Sequence, residues 1–168
     1  MGRNEVQLRR IEVADDLAPA AALAREFGDW ATEQITAQLG IVIPAEADHP
    51  PELLDELLAT GGRLYVAEVD GAAVGVGGLK RLSDTVGEIK RMFVRPSARG
   101  LGAGRAIVEQ LLADARALGF ETVYLESASF MHSAHALYRS VGFIPSDSYD
   151  GLEFGGVDVS VFMRLDLV

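Results

Sequence analysis

The chain has 168 residues, a length that favours one domain over 1–168, since domains most often run to roughly 100–150 residues. With 49% hydrophobic and 24% charged residues it is no disordered chain; no apolar run approaches the ~20 residues of a bilayer span, and the lack of cysteine excludes disulfide frameworks, thiolate metal sites and a cysteine nucleophile. The net charge of −10 argues against nucleic acid, whose phosphates need clustered basic residues, and at physiological salt attracts cations only weakly.

Residues 1–10 are polar with no apolar signal core, so a cytoplasmic protein without a membrane partner is expected. Residues 6–13 read as a first strand. Asp15 or Asp16 can cap a helix running to Phe27, because a carboxylate accepts the orphan amide protons of a first turn. A second helix is expected over 29–39, with Trp30 and Ile35 among polar residues. Residues 40–51 hold three prolines and His49 and read as a loop, followed by a helix over 52–59 that Gly61 and Gly62 end. Residues 63–69 and 72–79 form a hairpin about Asp70-Gly71.

Residues 87–94 are the next strand. A loop at Gly100 to Gly104 opens a helix from about Arg105 to Leu118, where Ile107, Leu111, Leu112, Ala115 and Leu118 recur at helical spacing. A strand at 122–126, a short helix at 133–141 stopped by Gly142, and a strand at 157–167 complete the chain. In the last, Val157, Val159, Val161, Met163, Leu165 and Leu167 alternate with polar residues and Phe162. The strand–helix–strand crossover over 88–126 implies one parallel pair; the rest of the sheet reads as antiparallel. The fold class is therefore α/β (α+β), a mixed, mostly antiparallel sheet flanked by helices.

The sharpest feature is the loop Arg99-Gly100-Leu101-Gly102-Ala103-Gly104-Arg105. A helix start exposes unpaired amides and the positive end of the dipole, and glycines let an anion approach the backbone. A phosphate or pyrophosphate is the natural guest. The P-loop reading fails because no Gly-Lys-Ser/Thr follows, and the dinucleotide fingerprint fails because its third glycine would fall on Arg105. A turn that merely starts a helix is the structural alternative.

Residues 99–104 resemble the Arg/Gln-x-x-Gly-x-Gly/Ala signature of the GCN5-related N-acetyltransferase (GNAT) superfamily. Residues 87–96 are similar to its preceding strand, and Leu137-Tyr138-Arg139-Ser140-Val141-Gly142-Phe143 to its later Leu-Tyr-x-x-x-Gly-Phe motif. The three lie in the family's order. The resemblance implies acetyl-CoA as cosubstrate, the amides of Gly100, Leu101, Gly102, Ala103, Gly104 and Arg105 on the pyrophosphate, and the backbone of Met92, Phe93 and Val94 paired with the pantetheine arm. In the family a bulge splays this strand from the next and admits the arm.

Acetyl transfer to an amine asks for a group that takes a proton, donors for an oxyanion, and a proton for the departing thiolate. Glu88 is the candidate base, with Glu126 second; a salt-bridged Glu88 beside Lys90 is the structural alternative. Tyr138 is the candidate acid, by resemblance, against a packing role, and the amide of Phe93 or a neighbour would polarise the carbonyl. His132 and His135 flank the short helix start as substrate contacts or as surface residues, and Met131 stands where relatives often carry an asparagine. Phe27, Trp30, Tyr149 and Phe154 are candidates for the acceptor site. No cluster has metal-ligand spacing. The expectation is an acetyl-CoA-dependent N-acetyltransferase acting on a primary amine, small molecules favoured. A non-catalytic acyl-CoA-binding module is the alternative, and a homodimer is left open.

Overall fold

The computed structural model describes residues 4–12, 16–42, 52–149 and 160–168. The elements are β1 (Val6–Arg10), α1 (Ala18–Leu39), α2 (Glu52–Ala59), β2 (Arg63–Val69), β3 (Ala72–Arg81), β4 (Val86–Val94), α3 (Ala103–Ala117), β5 (Thr122–Ala128), α4 (His132–Ser140), β6 (Ile144–Ser146) and β7 (Ser160–Asp166). The seven strands form one sheet in the order β1-β2-β3-β4-β5-β7-β6. Only β4 and β5 are parallel among the pairs formed by the described residues, as the crossover requires. No helix among the described residues is long and apolar enough to cross a membrane.

Both sheet faces are covered. Leu64 and Val66 of β2 pack with Ala20 and Leu23 of α1 and Leu54 and Leu57 of α2. Tyr65, Ala67 and Val69 pack on the other face with Ile107, Val108, Leu111 and Leu112 of α3. This alternation explains why β2 reads as an unbroken apolar run: a strand buried on both faces has no polar side to show. At the β2–β3 turn Asp70 and Gly71 both take positive φ, 51° and 81°, matching the twist of the strands they join. In β3, a Cβ on Gly77 would come within 2.4 Å of Met92 Sδ and 2.5 Å of Ile107. Its bare backbone therefore lets α3 and the β4 side chains close on the sheet.

Several sequence expectations are corrected. The two helices expected before residue 40 are one helix of 22 residues, α1. Gly28 costs it about 1 kcal/mol relative to alanine, but Leu23, Phe27 and Trp30 keep one face in contact with neighbours across that point. Leu17 occupies the N-cap with no side-chain hydrogen bond, so Asp16 does not cap; Pro19 is in the first turn, and Gly40, at φ 67°, ends the helix. Asp15, Val13 and His49 lie outside the described residues, as does the segment 157–159 expected to begin β7. The helix expected from Arg105 begins at Ala103, the helix expected at 133–141 spans His132–Ser140, and β3 continues to Arg81. Strand β6 is too short to leave a periodic signal.

One buried polar link crosses the core. The Tyr65 hydroxyl donates to Asp114 of α3, whose other oxygen accepts from Gln110 Nε2 at 3.1 Å. Arg63 Nε lies 3.9 Å from the same carboxylate. Burial, followed by the Asp114 bond, pushes the Tyr65 phenol up to about 12. Tyr65→Phe leaves that carboxylate short of a donor and should lower stability by about 1–2 kcal/mol, read as a melting temperature lower by roughly 2–8 °C. A melting temperature equal to wild type would refute the link.

Candidate active site

The site is built where β4 leaves β5. The two strands pair from Val86↔Thr122 to Ile89↔Leu125, and their recorded pairing ends there although both continue. At the same point β4 carries an extra residue. Gly78 pairs with Lys90 and Val76 with Phe93, so Gly77 faces both Arg91 and Met92. Arg91 takes φ 58°, the left-handed conformation of the first residue in a G1-type bulge.

The extra residue reverses which side chains face which layer. Ile89 packs with the α3 cluster, whereas Phe93, four positions on, packs with the α1 cluster. In-plane groups alternate as well. The Arg95 amide donates to Val74 on β3 at 2.8 Å. Alternation then turns the Phe93 amide toward β3 and the Met92 and Val94 amides toward the gap. The expectation named the amide of Phe93 or a neighbour for the carbonyl; by this alternation it is the neighbours' amides that face the gap.

Beyond β4, a short 3-10 turn (Pro96–Ala98) leads into the glycine loop. Gly100 and Gly102 adopt φ 85° and 88°, and a Cβ on either would meet nothing within 4 Å. Gly102 is the N-cap of α3, so the amides of Ala103, Gly104 and Arg105 begin a helix without intrahelical acceptors. The loop therefore offers amides, the helix dipole and open space together, the requirements of an anion site. Arg105 donates to the Ser140 hydroxyl at 2.7 Å and joins the loop to α4. Arg95 clasps both Glu26 oxygens, at 2.8 and 2.7 Å, and donates to the Ala73 carbonyl at 3.0 Å, which fixes α1 to the loop entrance.

The carboxylates lie on the α1 face of the sheet. Glu88 is 2% exposed, with Lys90 Nζ 3.2 Å from its Oε1 but off hydrogen-bonding direction. It pairs in register with Tyr124, whose ring stacks on Tyr149 at 4.6 Å. The buried Tyr149 phenol is raised by desolvation first and by the Glu88 charge next, so the two groups are neighbours. Glu126 lies one residue past the last β4–β5 pair, at the mouth of the gap, and accepts from the Ser160 hydroxyl at 2.7 Å. Tyr138 packs in the α3 cluster on the opposite face, 5% exposed, with its ring edge-on to Phe143 at 5.9 Å. A phenol holds its proton at neutral pH, and burial pushes the pKa of this one further up.

Trp30 and Tyr149 are acceptor-site candidates in the sequence, but no local pattern encodes their contacts. Trp30 meets Phe27, Phe130 and Arg99, three contacts from three segments. Tyr149 reaches Tyr124, Glu88 and Phe162 from beyond β6. Met131 is the N-cap of α4 and contributes no side-chain cap hydrogen bond, its carbonyl accepting from the His135 amide at 3.1 Å. Phe154 lies outside the described residues.

Residues 29–143 match the model of the acetyltransferase (GNAT) family. The chain is 35% identical over 136 residues to an IAA acetyltransferase of Azospirillum brasilense, covering 80% of this chain and 87% of that one. It is 30% identical over 164 residues to the N-acetyltransferase YjgM of Escherichia coli K12, covering 95% and 94%. Its fold resembles a phosphinothricin acetyltransferase from Sinorhizobium meliloti solved with acetyl-CoA, with TM-score 0.65, 23% identity, and 96% and 88% of the two chains covered.

His135 was open between a surface and a site role; it is 5% exposed, and its Nε2 lies 3.0 Å from Ser127 Oγ at the end of β5. Burial, then Arg139 and His132, lowers its pKa against a bond to the Ala128 backbone. The folded state thus prefers the neutral ring. Above the ordinary value of about 6.5 both states are neutral; as pH falls below it, the unfolded chain takes the proton first and stability declines. His135→Gln should flatten that decline in denaturation midpoints measured from pH 7.5 to 5, and an unchanged slope would refute the assignment.

Proposed function

The chain belongs to the GNAT family of acetyltransferases and takes its acetyl group from acetyl-CoA, and on that premise we propose that it transfers the group to a primary amine by direct attack within a ternary complex, with a small molecule as acceptor. The observation that carries this reading is the parting of β4 from β5 beside an open glycine-lined helix start. One feature offers free strand backbone for the amide-bearing arm; the other offers amides for the diphosphate. The Azospirillum relative, named an IAA acetyltransferase, supports a small acceptor.

Bound acetyl-CoA supplies an activated acyl carbon. Met92 and Val94 offer amides to the arm and the carbonyl oxygen, while Gly100 to Arg105, with Arg99 beside them, hold the diphosphate. Glu88 takes the proton the amine must lose, directly or through a water, and Glu126 stands at the mouth as the second carboxylate able to do so. Tyr138, a phenol that carries its proton at neutral pH, gives it to the leaving sulfur. The two roles fall on opposite faces of the sheet. Proton removal and proton delivery then do not compete for the same space.

Tyr138→Phe should lower kcat about 10- to 100-fold and change coenzyme A affinity less than about threefold; equal turnover would remove the acid role. Gly102→Asp places a carboxylate and a strained left-handed backbone at the anion site. It should weaken coenzyme A binding by about 30-fold or more in calorimetry, and normal affinity would overturn the loop assignment. Coenzyme A binding without thiol release across a panel of amines would favour a binding module over an enzyme.

A further inference from the structure

Four aromatic rings run along the α1 face from β4 to the turn after β5. Phe93 and Phe27 are 5.6 Å apart, Phe27 stacks on Trp30 at 6.4 Å, and Trp30 meets Phe130 edge-on at 6.2 Å. The row links the two sides of the gap. At its centre the half-buried indole carries the Arg99 guanidinium on its face, with Cζ 5.5 Å from the ring centroid. Arg99 is itself exposed, and its backbone ends the 3-10 turn that enters the diphosphate loop.

A guanidinium on a partly solvated indole is held more weakly than one bonded to a diphosphate, where each contact is charge-assisted. Arg99 starts the glycine loop and has the reach of a long side chain on an exposed residue. Its departure would uncover a π face flanked by Phe27 and Phe130, on the sheet face that also carries Glu88 and Glu126. Such a face attracts a cation and does little for a neutral group of the same shape. Acetylation turns an ammonium into a neutral amide, so the face separates substrate from product.

We propose that Trp30 is a cation-recognition residue with two guests in turn: Arg99 while the diphosphate site is empty, and the acceptor's ammonium group once Arg99 has turned to the diphosphate. The proposal rests on the assignment of the glycine loop to coenzyme A and adds to it the residue that recognises the acceptor's charge. The acceptor is a primary amine that arrives charged, docks on the indole, and gives its proton to the carboxylates carried on the same sheet face. The coenzyme, by drawing Arg99 away, prepares the site for the amine.

Trp30 is the chain's one tryptophan, so its emission reads this face directly. Coenzyme A should change the emission with the midpoint that calorimetry gives for its binding. Arg99→Met, a neutral side chain of similar length, should cut that change at least fivefold at saturating coenzyme. On the coenzyme-saturated protein at pH 7, benzylamine should quench Trp30 at least fivefold more strongly than its neutral isostere benzyl alcohol. An unblocked hexapeptide against its N-acetyl form tests a peptide amino group as the source of the same ammonium. A response to either charged member of a pair supports the site and tells which source fits. Equal responses to charged and neutral members, or no response to any, overturn it. So does an undiminished coenzyme signal in Arg99→Met, or coenzyme uptake with unchanged emission in wild type; those results leave the coenzyme assignment standing. Absence of coenzyme uptake in calorimetry overturns that assignment and this proposal together.

Discussion

One extra residue in β4 organises the rest of the molecule. Opposite Gly77 the strand carries Arg91 and Met92 where a regular ladder has room for one. Arg91 pays for the bulge with a left-handed backbone, a strain of roughly 1–2 kcal/mol. Phe93 then enters the cluster under α1 while Met92 packs on the side of α3, so side-chain burial on both faces holds the irregularity in place. Gly77 is the complement on β3, since any side chain there would collide with Met92 and Ile107.

The same bulge coincides with the end of β4–β5 pairing, and this gives the site its two-sided character. Glu88 and Glu126 lie on the face covered by α1, with Tyr124, Tyr149 and Phe162 around them. Tyr138 lies on the opposite face, in the cluster under α3. Backbone amides at Met92 and Val94 lie between these layers. The polar groups proposed to serve the acyl transfer are thus carried on both faces of the sheet. Ties such as Arg95 to Glu26 and Arg105 to Ser140 keep the helices bounding that opening in register with the loop.

Much of this was legible in the residues. Asp70-Gly71 announced a hairpin because few other pairs accept two positive φ values in succession. The glycine loop announced a helix start open to an anion, and the Leu-Tyr-x-x-x-Gly-Phe run placed Tyr138 on a short helix ended by glycine. Other features misled for stated reasons. Gly28 read as a break, yet packing of Leu23, Phe27 and Trp30 on one side carried α1 through it. His135 stands between Ala134 and Ala136, and its buried ring meets Ser127 of another element.

The sequence by itself determined the succession of the main strands and helices, apart from the division of α1 and the short β6, together with the parallel crossover and a glycine loop that starts a helix, because turn chemistry, periodicity and glycine conformation are local properties. Only the tertiary structure decided which amides of β4 face the gap, that Glu88 is buried against Lys90 and Tyr149, and that Arg99 rests on Trp30. Those depend on strand register, and one inserted residue exchanges the faces of everything beyond it.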